Sequence, residues 1–413
     1  MTDNMNINGI NKSILDISDF YFKDSGLPEI FERIDHNYPG SEIVNTFDPN
    51  NLPDHKVDIS QRIKIESAIT FGSQKLTKQK YVDLVFNLGR LSVSLGEFIL
   101  AKDLFNRILI NPLKAGYYSS YEAHSYYNLA KINALQAEWK ECISFLDKAK
   151  SLFLMNKDDI GLTDYYLLMG NMYLNKGNLK KAKQVFEKGS TFVDQKNDKY
   201  FLGLIDNNIG IIHASQNNFD EALTYFYRAL SYQQQLNNNN KITEIRNNLG
   251  LLFTFKDEVD NAINEFDLSI ESGLKEDYLT GIVMAYINKA VVYCRISDYN
   301  FATAYSDKAM ELAMRLNDRL TIADVYKVKG MIERDIANFE VSESLLQTSL
   351  RLNKELDNKY NYAETAYEIG LLYKLWHKHD LAVKYLKNSR EYYISINALL
   401  QAEKIENILD SFE

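Results

Sequence analysis

Residues 247–269 read NNLGLLFTFKDEVDNAINEFDLS. A large apolar residue followed by a small one, Leu249-Gly250, sits inside a helical pattern. Then come the small Ala262, the large Phe266 and the small Ser269. The steps of four and three place these last residues on one stripe of a second helix. A polar turn, Lys256-Asp257-Glu258, separates the two helices. Glycine costs about 1 kcal/mol relative to alanine in a helix interior. Its use at position 250 therefore implies a close approach by the second helix.

The pattern recurs along the chain. The apolar–small pair stands at Leu88-Gly89, Leu129-Ala130, Met169-Gly170, Ile209-Gly210, Leu249-Gly250 and Ile369-Gly370. In two further repeats lysine precedes the small residue, as Lys289-Ala290 and Lys329-Gly330. The first spacing is 41 residues and the next six are 40. A small residue follows each at Ala101, Cys142, Ala182, Ala222, Ala262, Ala302, Ser342 and Ala382. The large column holds Phe105, Leu146, Phe186, Phe226, Phe266, Leu346 and Leu386, with Ser306 the exception. A register this regular predicts eight helix pairs in one continuous array. Allowing for turns, each helix has about 17 residues and spans about 25 Å.

Composition agrees with an all-α fold. The five prolines are Pro28, Pro39, Pro49, Pro53 and Pro112, and none follows Pro112. Proline breaks helix interiors, so this gap argues against a β-rich or loop-rich body. With 46% hydrophobic and 25% charged residues the chain reads as folded. Its formal charge of −9 lacks the basic footprint of a nucleic-acid binder. No apolar run reaches the length of a membrane span, and the first residues lack the pattern of a signal peptide. Cys142 and Cys294 stand far apart, so no disulfide framework is expected and the cytoplasm is the expected compartment.

These landmark columns resemble the tetratricopeptide repeat over residues 77–396. The period is longer than the usual length of about 34 residues. It is similar to the extended repeats of spindle scaffolds, kinesin light chains and bacterial peptide-pheromone receptors. The weakest matches are repeats 6 and 7, with Lys289, Lys329 and Ser306 in large-apolar columns. The resemblance implies a right-handed superhelical α-solenoid of about eight helix hairpins with terminal capping helices. Its first helix in each pair would line a concave groove.

The ends differ from the body. Residues 397–413 read as a C-terminal capping helix, and 60–76 as a capping helix or degenerate half-repeat with Ile65 and Ala68 in the second-helix columns. Residues 1–59 form an acidic, partly irregular segment with short helices expected around Ile14–Phe22 and Pro28–Ile34. Residues 37–59 read as an irregular connector. The segment either caps the array or folds back into its groove.

By resemblance, the inward columns lie six, three and two before each small landmark, and one and four after it. The column two before carries Asn87, Asn128, Asn208, Asn248 and Asn288. Asparagine is a poor helix former, and its amide both donates and accepts. Such a ladder suits capture of an extended peptide backbone; the alternative is that each amide fixes packing between repeats. In repeats 1 and 2, Arg90, His124 and Lys131 beside Phe86 and Tyr127 suggest a place for an acidic side chain or chain terminus. They resemble loosely the carboxylate clamp of chaperone-binding relatives, without its full lysine and asparagine set. Asn207, Asn208, Asn247, Asn248, Leu251 and Phe255 give a neutral amide-and-apolar stretch. Arg295, Lys327, Arg334 and Lys374 mix with Asp324, Asp335 and Glu364 in what reads as a solvated charged face.

No catalytic constellation, metal site or cofactor motif is recognisable. His377 and His379 flank a turn and are too sparse for a metal site. Cys142 and His213 fall in packing columns, while Cys294 falls on the groove face. The expected function is a non-enzymatic scaffold or adaptor that binds a protein or peptide in the groove. Nucleic acid and membrane are not expected partners. The alternative is a peptide-gated intracellular regulator or a sensory subunit of a signalling system. Self-association through a solenoid edge is a further option.

Overall fold

The computed structural model describes residues 14–22, 27–37, 59–94, 98–110, 117–135, 138–175, 178–194, 197–276, 278–316, 318–356, 358–395 and 399–412. Among these residues there are helices and turns and no strand. The expected connector at 37–59 lies almost wholly outside them. The chain divides into two compact units, residues 1–165 and 166–413.

The first unit begins with α1 (Ile14–Phe22), α2 (Leu27–Asn37) and α3 (Ile59–Lys75). The hairpins α4 (Lys78–Ser94) with α5 (Phe98–Ile110) and α6 (Tyr117–Leu135) with α7 (Trp139–Asn156) follow. The start of α8 (Asp159–Asn175) completes the unit. Ile14, Ile17 and Phe22 of α1, Phe31 of α2 and Ile65 and Ala68 of α3 share one core with Leu84, Val85, Leu88 and Leu104. Thus α1 to α3 are packed onto the first hairpin, and α1 touches α4 directly.

The second unit continues with α9 (Leu179–Ser190), then the hairpins α10 (Lys199–Ser215) with α11 (Phe219–Gln235) and α12 (Asn239–Phe255) with α13 (Val259–Leu274). Three more pairs follow: α14 (Leu279–Arg295) with α15 (Tyr299–Arg315), α16 (Arg319–Asp335) with α17 (Phe339–Glu355), and α18 (Lys359–Leu375) with α19 (His379–Ser395). Helix α20 (Leu399–Leu409) and a short 3-10 turn close on α19. Each first helix touches the first helix of the next pair, from α10 through α18. These first helices therefore form one layer and the second helices another.

The small and large landmarks meet inside each hairpin. A methyl group built on Gly170, Gly210 or Gly250 would come within 2.8 Å of Phe186, Phe226 or Phe266 respectively. Where the ring is replaced, the glycine can be too. Repeat 2 pairs Ala130 with Leu146, and repeat 6 pairs Ala290 with Ser306. Leucine alone does not admit a methyl group, since one built on Gly330 or Gly370 would come within 2.8 Å of Leu346 or Leu386.

The lysines that weaken the repeat pattern are compensated by the preceding repeat. Lys289, almost wholly buried, reaches Asp267 of α13 at 2.5 Å and the Tyr305 hydroxyl at 3.0 Å. Burial alone would lower its pKa, but Asp267 and Tyr305 outweigh that and raise it. Lys329 pairs with Asp307 in the same register.

Turns repeat as well. Asn217, Asp257, Ser297, Ala337 and His377 adopt left-handed backbone conformations with φ between 56° and 66°. The next N–H donates back to a carbonyl five residues earlier, as from Glu258 to Phe253 at 2.9 Å. This closes the first helix with the 6→1 bond of a Schellman cap.

Candidate functional site

The inward columns divide by unit. In the first unit, Asn87 is buried and its amide donates to the Tyr21 hydroxyl at 2.8 Å and to Asp83 at 3.4 Å. Tyr121 also donates to Asp83, at 2.7 Å. This network fastens α1 across the inward face of α4, so the first amide of the column is engaged by the N-terminal segment. Asn128 donates to the His124 carbonyl of its own helix at 2.7 Å. Both amides therefore serve local structure.

His124 lies between the rings of Phe86 and Phe153 and pairs with Asp158 at 3.3 Å. Asp158 also accepts from the Gly161 N–H at 2.8 Å, capping the start of α8. Burial would raise its pKa, but His124 and Gly161 hold it below its usual value. Asp164 stands one and a half turns further along α8. Burial pushes its carboxyl up to about 6, against the attraction of His124, Lys131 and Arg90 and with the help of Asp158. The structure thus gathers Arg90, His124 and Lys131, as their spacing suggests, but around two carboxylates that sequence reasoning missed. Tyr127 is half-buried on the same helix as His124.

The missed carboxylates carried a signal. The column six before the small landmark holds Asp83, Asp164, Glu244, Asp324 and Glu364. Four of these five have a direct partner: Asp83 as above, Glu244 with Lys241 and Tyr278, Asp324 with Asn361, and Glu364 with Lys327. Asp164 has no hydrogen bond or ion pair with a described residue.

In the second unit the amides behave differently. Asn248 donates to the Asn207 carbonyl oxygen at 2.8 Å, linking α12 to α10. Its own carbonyl oxygen has no donor among the described residues. Asn208 and Asn288 are half-buried on α10 and α14, and neither amide makes a hydrogen bond to a described residue. Asn247 is buried and donates to the Gly281 carbonyl at 3.1 Å, so it serves the packing of α12 on α14. Leu251 is half-buried and Phe255 exposed beside these amides.

The mixed charges of repeats 6 to 8 are largely paired, although Arg295 is exposed. Lys327 bridges to Glu364 at 2.5 Å, Arg334 pairs with Glu368 and with Asp335, and Arg295 donates to the Thr254 carbonyl at 2.9 Å. Each of these contacts except Arg334–Asp335 joins neighbouring first helices. Cys294, buried, donates its thiol hydrogen to Asp335 at 3.3 Å. Burial and the Asp335 charge push its pKa to about 12, which leaves little thiolate at neutral pH.

His213 is buried and stacks on Tyr225. His377 and His379 stand exposed at the turn before α19. Among the described residues no group of three or more His, Cys, Asp or Glu side chains could hold a metal ion, and no helix is long and apolar enough to cross a membrane.

Two stretches match family models of the tetratricopeptide repeat, residues 163–191 and 207–240. No curated protein sequence matches. Solved structures share the fold at low identity. A Rap protein complexed with competence and sporulation factor matches at a TM-score of 0.65 and 12% identity, over 90% of this chain and 99% of that one. The Rap conjugation gene regulator of plasmid pLS20, in complex with a Phr peptide, matches at 0.54 and 17% identity, over 94% and 98%. Aspartyl phosphate phosphatase F from Bacillus subtilis matches at 0.54 and 14% identity, over 94% and 92%. The chain carries tetratricopeptide repeats, and its fold is that of the helical repeat proteins.

Proposed function

We propose that this tetratricopeptide-repeat chain binds an extended peptide, as an adaptor or regulator without catalysis of its own, along the first helices of the second unit. The observation that carries this reading is the pair of unengaged amides at Asn208 and Asn288, flanking the half-engaged Asn248. Half-buried amides without partners lose hydrogen bonds to water and regain them from a peptide backbone, whose N–H and C=O groups match both ends of the amide. Leu251 and Phe255 add apolar surface for peptide side chains. The fold is shared with a Rap regulator solved with a peptide, which makes a peptide a fitting ligand class. Asn87 and Asn128 stand outside this footprint because their amides are engaged locally. Arg90, His124, Tyr127 and Lys131, in the first unit, would offer a place for an acidic side chain or a chain terminus.

The test is a screen of a random peptide library against the full chain, followed by Asn208→Ala with Asn288→Ala. Loss of two backbone-capturing amides weakens binding by about tenfold or more, at 0.5–1.5 kcal/mol per hydrogen bond. Circular dichroism checks that the fold is intact. Unchanged affinity in a folded double variant sinks the amide reading.

A further inference from the structure

The second unit has another surface, on the opposite layer from the amides. Helix α9 reads LKKAKQVFEKGS and carries Lys180, Lys181, Lys183 and Lys188 against the single acid Glu187. The chain as a whole has a charge of −9, so this concentration runs against the background. At 100° per residue, these lysines with Gln184 and Glu187 fill one outward arc of the helix. Ala182, Phe186 and Gly189 are buried on the other side.

None of the four lysines forms an ion pair with a described residue. Two are seated on rings: Lys181 lies 5.6 Å from the centre of Tyr173, and Lys188 lies 5.5 Å from that of Tyr166. A cation over an aromatic face is held without being neutralised. Lys183 reaches across to α10, where its ammonium sits 3.5 Å from Nε2 of His213. That partner is a ring and not a carboxylate; burial and Lys183 lower the His213 pKa, against the opposing pull of Glu221. The helix therefore displays several positioned positive charges that form no ion pair with a described residue.

We infer that the outward arc of α9 is a docking surface for an acidic polypeptide segment. Twelve helical residues span about 18 Å, which matches five or six residues of extended chain at about 3.3 Å each. Nucleic acid is the poorer fit. A phosphate backbone continuing toward the next hairpin would meet the exposed Asp220 and Glu221 at the start of α11. A short carboxylate-bearing segment can end before them.

The experiment measures binding of a labelled hexaglutamate peptide to the full chain at low salt, beside a hexaglutamine control and a thymidine hexanucleotide. Hexaglutamate is expected to bind, hexaglutamine not to bind, and the oligonucleotide to bind more weakly. Replacing Lys180, Lys181, Lys183 and Lys188 together by glutamine should cost about tenfold or more in hexaglutamate affinity, four exposed ion pairs being lost. Lys180, Lys181 and Lys188 are exposed and Lys183 is half-buried, and circular dichroism verifies the fold.

A second readout separates docking at α9 from binding elsewhere. A carboxylate near Lys183 offsets its charge, so the His213 pKa, followed by its imidazole proton resonance, should rise on adding hexaglutamate. Equal affinity for the glutamine variant, an unmoved His213 titration, absence of hexaglutamate binding, or tighter binding of the oligonucleotide would each overturn the proposal. Asn208→Ala with Asn288→Ala should leave hexaglutamate binding unchanged, which keeps this surface distinguishable from the amide face.

Discussion

Gly250→Ala tests the close contact of glycine with phenylalanine inside the hairpin. The new methyl would lie 2.4 Å from Cε1 of Phe266 and 2.7 Å from Cδ1 and Cζ. Phe266 is fully buried, so its ring has no open space to enter. Alanine gains about 1 kcal/mol of helix propensity, and overpacking costs about 1–3 kcal/mol. The net expectation is a loss of up to about 2 kcal/mol. Phe266→Leu alone should also destabilise, by less than the roughly 3–5 kcal/mol of a Phe→Ala truncation. The double variant recreates the pairing of Ala130 with Leu146. It should be more stable than the sum of the single effects predicts, with a coupling of about 0.5–3 kcal/mol. An array of repeats need not unfold in one step. Hydrogen–deuterium exchange of the α12 and α13 amides is therefore the assay, because it reports local opening free energy. Additive single effects, or a Gly250→Ala variant that gains the full helix-propensity term, would refute the steric argument. Ala290→Gly, opposite the small Ser306, supplies the control. No clash is relieved there, and the loss should be about 1 kcal/mol.

Three further outcomes follow from the structure. Asp164 has a folded-state pKa of about 6 against 3.8 for the unconstrained group. The native state therefore binds the proton more tightly, and stability should fall as pH rises from about 4 to about 6, then level off. Two pKa units correspond to about 3 kcal/mol at most. Asp164→Asn should flatten that decline in urea titrations across the range, and an unchanged pH profile would contradict the assignment. Asp267→Ala leaves the buried Lys289 ammonium without its carboxylate and should cost about 1–3 kcal/mol. Lys289→Leu restores the usual residue of that column and should be neutral or stabilising; in its background Asp267→Ala should have little effect, and an equal loss in both backgrounds would remove the pairing argument. Ala337 has φ of 66° in its turn. Ala337→Gly should raise the thermal midpoint through relief of about 1 kcal/mol of left-handed strain, whereas a lowered midpoint would show that alanine is unstrained there.

The helix pairs were legible because a repeat samples the same packing problem eight times. A glycine opposite a large residue once is a coincidence; the same offset through six glycines, four facing phenylalanine and two facing leucine, identifies a contact. The helices expected at residues 14–22 and 60–73 were legible for a simpler reason, since Ile14, Ile17, Ile65 and Ala68 repeat at helical spacing and are buried. What periodicity could not supply was which inward groups find partners. Asn87 and Asn208 occupy the same column, yet Asn87 is engaged by Tyr21, more than sixty residues earlier in the chain. Likewise the charges of repeats 6 to 8 read as solvated in one helix at a time. They pair only when α16 and α18 lie side by side.

Departures from the repeat template can therefore be sorted by whether a neighbour answers them. Lys289 and Lys329 break the apolar column, and Asp267 and Asp307 answer them from the preceding second helix. Ala290 answers Ser306 by volume. Such departures are satisfied within the array and need no ligand to explain them. Asn208 and Asn288 make no hydrogen bond to a described residue, although each is half-buried on an inward column. A natural sequence that satisfies its local rules elsewhere tends to leave them unsatisfied where something must bind. If the amide reading holds, the free amides of the second unit are the positions where substitution should change binding more than stability. The compensated lysines should do the reverse.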